Sequence, residues 1–304
     1  MSAGAKIGTG FAARRAAGVL ALGAVLAGLA GCATSSVEQQ RTETIYAQYA
    51  ARMAERGRFR EEFRPTDVIY TNAQLVRHFD KVVFLPEIAN DRFRQIEPET
   101  RTLAKWAHPI RYSFDRKPEL LDIATVARVL ADFQNYSGLD IAPARAPEEP
   151  NLVIYVLDTA ERAALLNDRD EDAYPSPILE AWVEELELPC FGLYRTQTIE
   201  GGEILRAAIF VKDELRDPFR RACFVEELSQ ALGLSNDHDD IRPSIFNDDQ
   251  EFIALTEHDS YLMRLLYHPR MRAGMPRDEA VGLARELVDG IRQERSDPLA
   301  GQYD

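Results

Sequence analysis

The chain has 304 residues, 45% of them hydrophobic, with 36 Lys and Arg against 50 Asp and Glu for a formal net charge of −14. That length suits one large domain or a domain with an appendage, and the apolar fraction is enough for a packed core. The acidic balance repels phosphate backbones and anionic head groups, so nucleic-acid binding and electrostatic docking on lipid are both disfavoured.

At the amino terminus Lys6, Arg14 and Arg15 precede a run of small and apolar residues from Ala16 to Ala30, too short for a comfortable permanent span. Residues 1–31 read as an export signal. The run ends in Leu29-Ala30-Gly31-Cys32, which resembles the lipobox of bacterial lipoproteins, where a thiol is alkylated by diacylglycerol and the chain is cut before that cysteine. The resemblance implies that Cys32 carries the lipid and attaches the mature chain to a membrane of the cell envelope. Ala33 rather than Asp after it resembles the pattern of lipoproteins sent to the outer membrane, facing the periplasm. The alternative is an ordinary cleavable signal with Cys32 in the core. Cleavage removes three positive charges and no negative ones, taking the net charge from −14 to −17, so lipid must supply the attachment. Cys190 and Cys223 are then left; in an oxidising compartment they suggest one disulfide, the other reading being two separate buried thiols.

Residues 32–64 are polar, with Tyr46, Tyr49 and Met53 at helical spacing, which predicts a tether and a helix. Two β-rich stretches, Val68-Ile69-Tyr70 and Val82-Val83-Phe84-Leu85, predict a small pre-domain over 65–102. In the main domain, 103–275, period changes predict strands over 110–114, 151–157, 191–196 and 204–211, the last pair joined around Gly201-Gly202. Helices are expected over 120–136, closed by Gly138, and over 159–166 and 178–186. Asp217-Pro218 predicts a helix start, with Asp217 as cap and Pro218 first in the helix, and Gly233 its end. Thr256, with Asp259 three residues on, predicts a capped helix to Tyr267. A last amphipathic helix, 276–292, precedes a polar tail ending at 304.

The chemistry-bearing stretch runs from Cys223 to Asp237. Glu226 and Gln230 are four apart and share a helix face, Glu227 sits one step round, Gly233 breaks the helix, and Asn236 follows. This spacing resembles the long zincin motif, HExxHxxGxxH, with every histidine replaced. In that motif two histidines one turn apart and a third beyond the glycine bind zinc, and the glutamate is the general base. The segment Pro243-Ser244-Ile245-Phe246-Asn247 resembles the Met-turn segment of the metzincin metallopeptidases, with Phe246 for the methionine. Leu255 to Tyr267 resembles their C-terminal helix. The region 103–275 resembles more closely the bacterial lipoprotein family called domain of unknown function 2927, in which Glu-Glu-x-x-Gln-x-Leu-Gly-Leu-x-Asn-Asp is the usual form. These resemblances imply an α+β fold of zincin type: a twisted sheet, an active-site-type helix and C-terminal helices.

They also imply that Glu227 keeps the general-base position while Glu226, Gln230 and Asn236 occupy the ligand positions. One carboxylate and two amide oxygens suit zinc poorly, so no cofactor and no zinc hydrolysis are expected. Calcium or magnesium on oxygen ligands is one alternative. A hydrogen-bonded polar cluster that preserves the fold is the second, and an enzymatic use of the adjacent Glu226 and Glu227 the third. The expected function is a non-catalytic, lipid-anchored domain that binds a peptide or protein of the envelope, with an atypical metal-dependent hydrolase as the alternative. The acidic residues Asp237, Asp239, Asp240, Asp248, Asp249 and Glu251 can gather a cation or form a solvated loop, and Trp106 and Trp182 suit the core.

Overall fold

A computed structural model describes residues 37–85, 100–167, 176–198, 200–247 and 250–293. The export signal, Cys32, the first residues of the tether, the polar tail, Asp248 and Asp249 lie outside the described residues.

Helix α1 spans 37–55 and buries Tyr46 and Met53, as their spacing predicts. Helix α2, Asn72–Phe84, takes the place of the strand expected over 82–85, and Val68-Ile69-Tyr70 is irregular chain before it. Its apolar residues Leu75, Val76, Phe79, Val82 and Val83 fall on one helical face, and Thr71 with Gln74 forms a capping box at its start. That pattern outweighs the β preference of Val82, Val83 and Phe84, and this face joins the main core.

The remaining elements follow in the order β1 (Ala104–Lys105), β2 (Ile110–Phe114), α3 (Leu120–Ser137), β3 (Ile141–Pro143), β4 (Leu152–Leu157), α4 (Thr159–Asn167), α5 (Ser176–Glu184), β5 (Cys190–Thr198), β6 (Gly201–Lys212), α6 (Phe219–Ala231), α7 (Glu257–Leu266) and α8 (Arg277–Gln293). Strands β3, β2, β4 and β6 lie side by side and parallel, β1 pairs in parallel with the first residues of β6, and β5 is antiparallel to β6.

Alternation along these strands feeds two cores. Ile154 of β4, Ile209 of β6 and Cys190 of β5 face the larger one, which also takes α3, α6, α7 and α8. Phe191, Ala208 and Phe210 face the other side, where Trp182 of α5 closes a second cluster. Helices therefore cover both faces of a mostly parallel sheet, a mixed α/β architecture that keeps the expected sheet, the helix after it and the C-terminal helices. Among the described residues no helix is long and apolar enough to cross a membrane.

Candidate functional site

Helix α6 leaves the carboxyl end of β6, and ion pairs fix its first turn. Asp217 does not cap it: the cap position falls on Pro218 without a side-chain hydrogen bond, and Asp217 accepts from Arg221 Nε at 3.0 Å. The first helical residue is Phe219 rather than Pro218, which moves Asp217 off the cap position, and a neighbouring arginine takes its carboxylate. Arg220 grips both oxygens of Asp122 on α3, at 2.8 and 2.6 Å, and reaches Asp213 Oδ1 at 3.0 Å. One turn on, Cys223 is bridged to Cys190 of β5. The bridge selects the disulfide reading over two free thiols.

The far end is held as firmly. Trp106 Nε1 donates to Ala231 O at 2.9 Å and Tyr267 Oη to Leu232 O at 2.8 Å. Gly233 has φ +101°, and a Cβ there would stand 2.7 Å from Ala104 O, so only glycine fits this turn.

Between these anchors the motif residues separate. Glu227 is 4% exposed and lies against β5, where its Oε2 would be 3.0 Å from a Cβ on Gly192. Gln230 is also 4% exposed, and its Nε2 has no hydrogen-bond partner among the described residues. Asn236 is 3% exposed and donates through Nδ2 to Val82 O of α2 at 2.8 Å. Glu226 is half-buried. The zinc-type set does not fit these residues: none is an imidazole, and Asn236 is already engaged by α2. Among the described residues, no group of three or more His, Cys, Asp or Glu is placed to hold a metal ion.

The segment that follows packs by hydrogen bonds. Phe246 is fully buried, and Ser244 Oγ donates to Asp259 Oδ1 at 2.5 Å. Asp259 also caps α7 with Thr256, the arrangement expected from the sequence. Two residues of the acidic stretch are spent on cations: Asp240 takes Lys81 of α2 at 2.7 Å, and Glu251 takes Arg242 at 2.5 Å and Arg60 at 3.0 Å. The Lys81 ammonium beside Asp240 and the guanidiniums beside Glu251 hold both carboxyls below the usual range despite desolvation.

Sequence reasoning missed one pair. His78 of α2 and His258 of α7 are both buried, with Nδ1 of the first 2.8 Å from Nε2 of the second. Desolvation, then the neighbouring His258, pushes the His78 pKa down to about 4. Two histidines 180 residues apart carry no local signal, although the apolar residues flanking each mark a buried helix face. A cavity of about 180 Å³ opens where β2 and β4 end; its lining includes Phe114, Lys117 and Glu119, together with Arg116, Asp122, Asp213 and Arg220, which are paired with one another.

No curated protein matches the chain. A family profile described as Protein of unknown function (DUF2927) matches residues 72–286, from the start of α2 into α8. Since that match takes in more than half of the chain, including α6 and its motif, the chain belongs to the DUF2927 family of proteins of unknown function.

Proposed function

We propose that this chain is a lipid-anchored protein of the cell envelope, in which a metzincin-like, zincin-type domain has lost hydrolysis and works by holding a peptide or protein partner. The observation that carries the reading is the burial of Glu227, Gln230 and Asn236, with the Asn236 amide spent on the chain's own helix α2. A general base must come within hydrogen-bond reach of the water it activates. Glu227 instead lies under β5 and Asn236 bonds α2, so the motif residues separately tie α6 and the turn after it to their surroundings.

Further support for the metzincin likeness comes from the helix that follows the sheet, the left-handed Gly233 at its end, and the buried Phe246 beyond it. The partner surface is the outer side of β5, which pairs with β6 alone among the described strands. An edge strand offers its backbone to an extended peptide, and its bulges near Thr196 limit how far such pairing runs. In this reading the lipid on Cys32 holds the domain on the outer membrane, facing the periplasm.

The test is metal content and peptide cleavage by the purified mature chain. The expected result is no stoichiometric zinc and no cleavage, the same in Glu227→Gln. Bound zinc with cleavage that disappears in Glu227→Gln would overturn the proposal. A rise in melting temperature with calcium or magnesium would favour the alternative, an atypical hydrolase with oxygen ligands from Glu226, Gln230 and Asn236.

A further inference from the structure

Seven large hydrophobic residues are exposed among those described: Val37, Ile69, Leu120, Leu121, Ile123, Leu186 and Leu205. Five of them belong to segments that meet at one pole of the domain, where the parallel strands end. Strand β6 ends at Lys212, whose Nζ donates to Glu185 O at 2.6 Å, one residue before Leu186. Tyr46 of α1 donates to Leu186 O at 2.9 Å, and Glu43, nearer the start of α1, pairs with Arg216 at 2.9 Å in the turn after β6. Arg220, from the same turn region, grips Asp122, which stands between Leu121 and Ile123. Leu120 is 86% exposed, Leu121 54% and Ile123 44%, in the first turn of α3.

The described residues begin near this same pole, with Glu43 of α1 paired to Arg216. Helix α1 begins at residue 37, five residues after Cys32, and five extended residues reach at most about 18 Å. The six residues from there to Glu43 add about 9 Å of helix. A lipid on Cys32 therefore keeps Glu43 within about 27 Å of the bilayer. Both signs of charge border the apolar residues, with Lys117 near Glu119 in sequence and Arg216 paired to Glu43, so the attraction to lipid is assigned to the apolar side chains.

We propose that this pole rests on the membrane, with Leu120, Leu121 and Ile123 entering the outer part of the lipid layer. The proposal rests on the lipid-anchor reading above. The apolar turn then buries surface that water would otherwise cover, and the domain holds one orientation with the Cys190 end of β5 nearer the bilayer than its Thr198 end.

The experiment uses the lipidated chain in phosphatidylcholine vesicles that contain nitroxide-bearing lipid. Leu121→Cys carries an environment-sensitive fluorophore, and Leu205→Cys, early in β6, is the control. Quenching at position 121 severalfold above that at 205 is expected, unchanged by phosphatidylglycerol or added salt because the contact is apolar. Leu120→Ser with Ile123→Ser should remove that quenching while the chain stays on the vesicles. A chain that carries lipid on Cys32 by mass and floats with the vesicles, yet shows equal quenching at 121 and 205, overturns the docking and leaves the anchor standing. A chain with no lipid mass on Cys32 overturns the anchor, and the docking with it.

Discussion

An ideal Cβ on Gly192 would lie 3.0 Å from Glu227 Oε2 and 3.3 Å from the Glu227 carbonyl oxygen. The bare strand at this point is what lets α6 press its buried acid against β5. Gly192→Ala should therefore destabilise the domain by about 1 kcal/mol, read from chemical denaturation, through overpacking. Truncating the acid as well, in Gly192→Ala with Glu227→Ala, should lessen the glycine's penalty; strictly additive costs would show that the two do not touch. Asn236 makes a different kind of contact. Its amide donates to Val82 O, and Asn236→Ala leaves that buried carbonyl without this donor, so a loss of about 1–2 kcal/mol is expected. The motif spacing singled out Asn236 from the sequence, but not this partner, which lies 154 residues away. A hydrogen bond of that span has no local trace.

Elements were legible where period and punctuation agreed. Strand β2 falls on the residues that its alternation predicts, α3 ends at the left-handed Gly138, and α7 begins at its Thr256–Asp259 capping box. Helix α2 carries two competing signals, three β-preferring residues at its end against the Leu75-Val76-Phe79-Val82-Val83 stripe, and the stripe prevails with the Thr71–Gln74 cap at its start. Strand β3 is three residues ending in proline on the sheet edge, too short for any period to register. The cysteine count alone left the disulfide and two free thiols both open, and only the fold places Cys190 on β5 beside Cys223 on α6. That bridge closes a separation of 33 residues and should contribute roughly 4 kcal/mol on the chain-entropy model. Replacing both cysteines by alanine should lower the denaturation midpoint accordingly while far-ultraviolet circular dichroism stays unchanged. A midpoint that does not move would mean that ion pairs such as Arg220–Asp122 already hold α6 to the domain.

At the scale of the whole molecule, the buried His78–His258 contact joins α2 to α7, so its protonation bears on global stability. The groups facing His78 are His258 across the contact, Arg77 and Lys81 on its own helix, and Asp240 from the loop after α6. Only Asp240 favours the charged ring, and desolvation outweighs it, so the folded pKa falls from the ordinary 6.5 to about 4. Between these values the unfolded chain binds a proton that the folded one does not. The stabilising difference is thus complete above pH 6.5, is lost as pH falls through this window, and changes no further below pH 4. From pH 7 to pH 5 the unfolding free energy should drop by about 1–2 kcal/mol from this residue. The carboxyls held below their usual range, Asp240, Glu251 and Asp67 among them, lose their contribution only at lower pH, which separates the two effects. His78→Gln keeps a polar side chain against His258 without a titrating ring, so its stability should be flatter between pH 7 and pH 5. An unchanged slope in that variant would move the pH sensitivity to another histidine and leave the contact between α2 and α7 as packing alone.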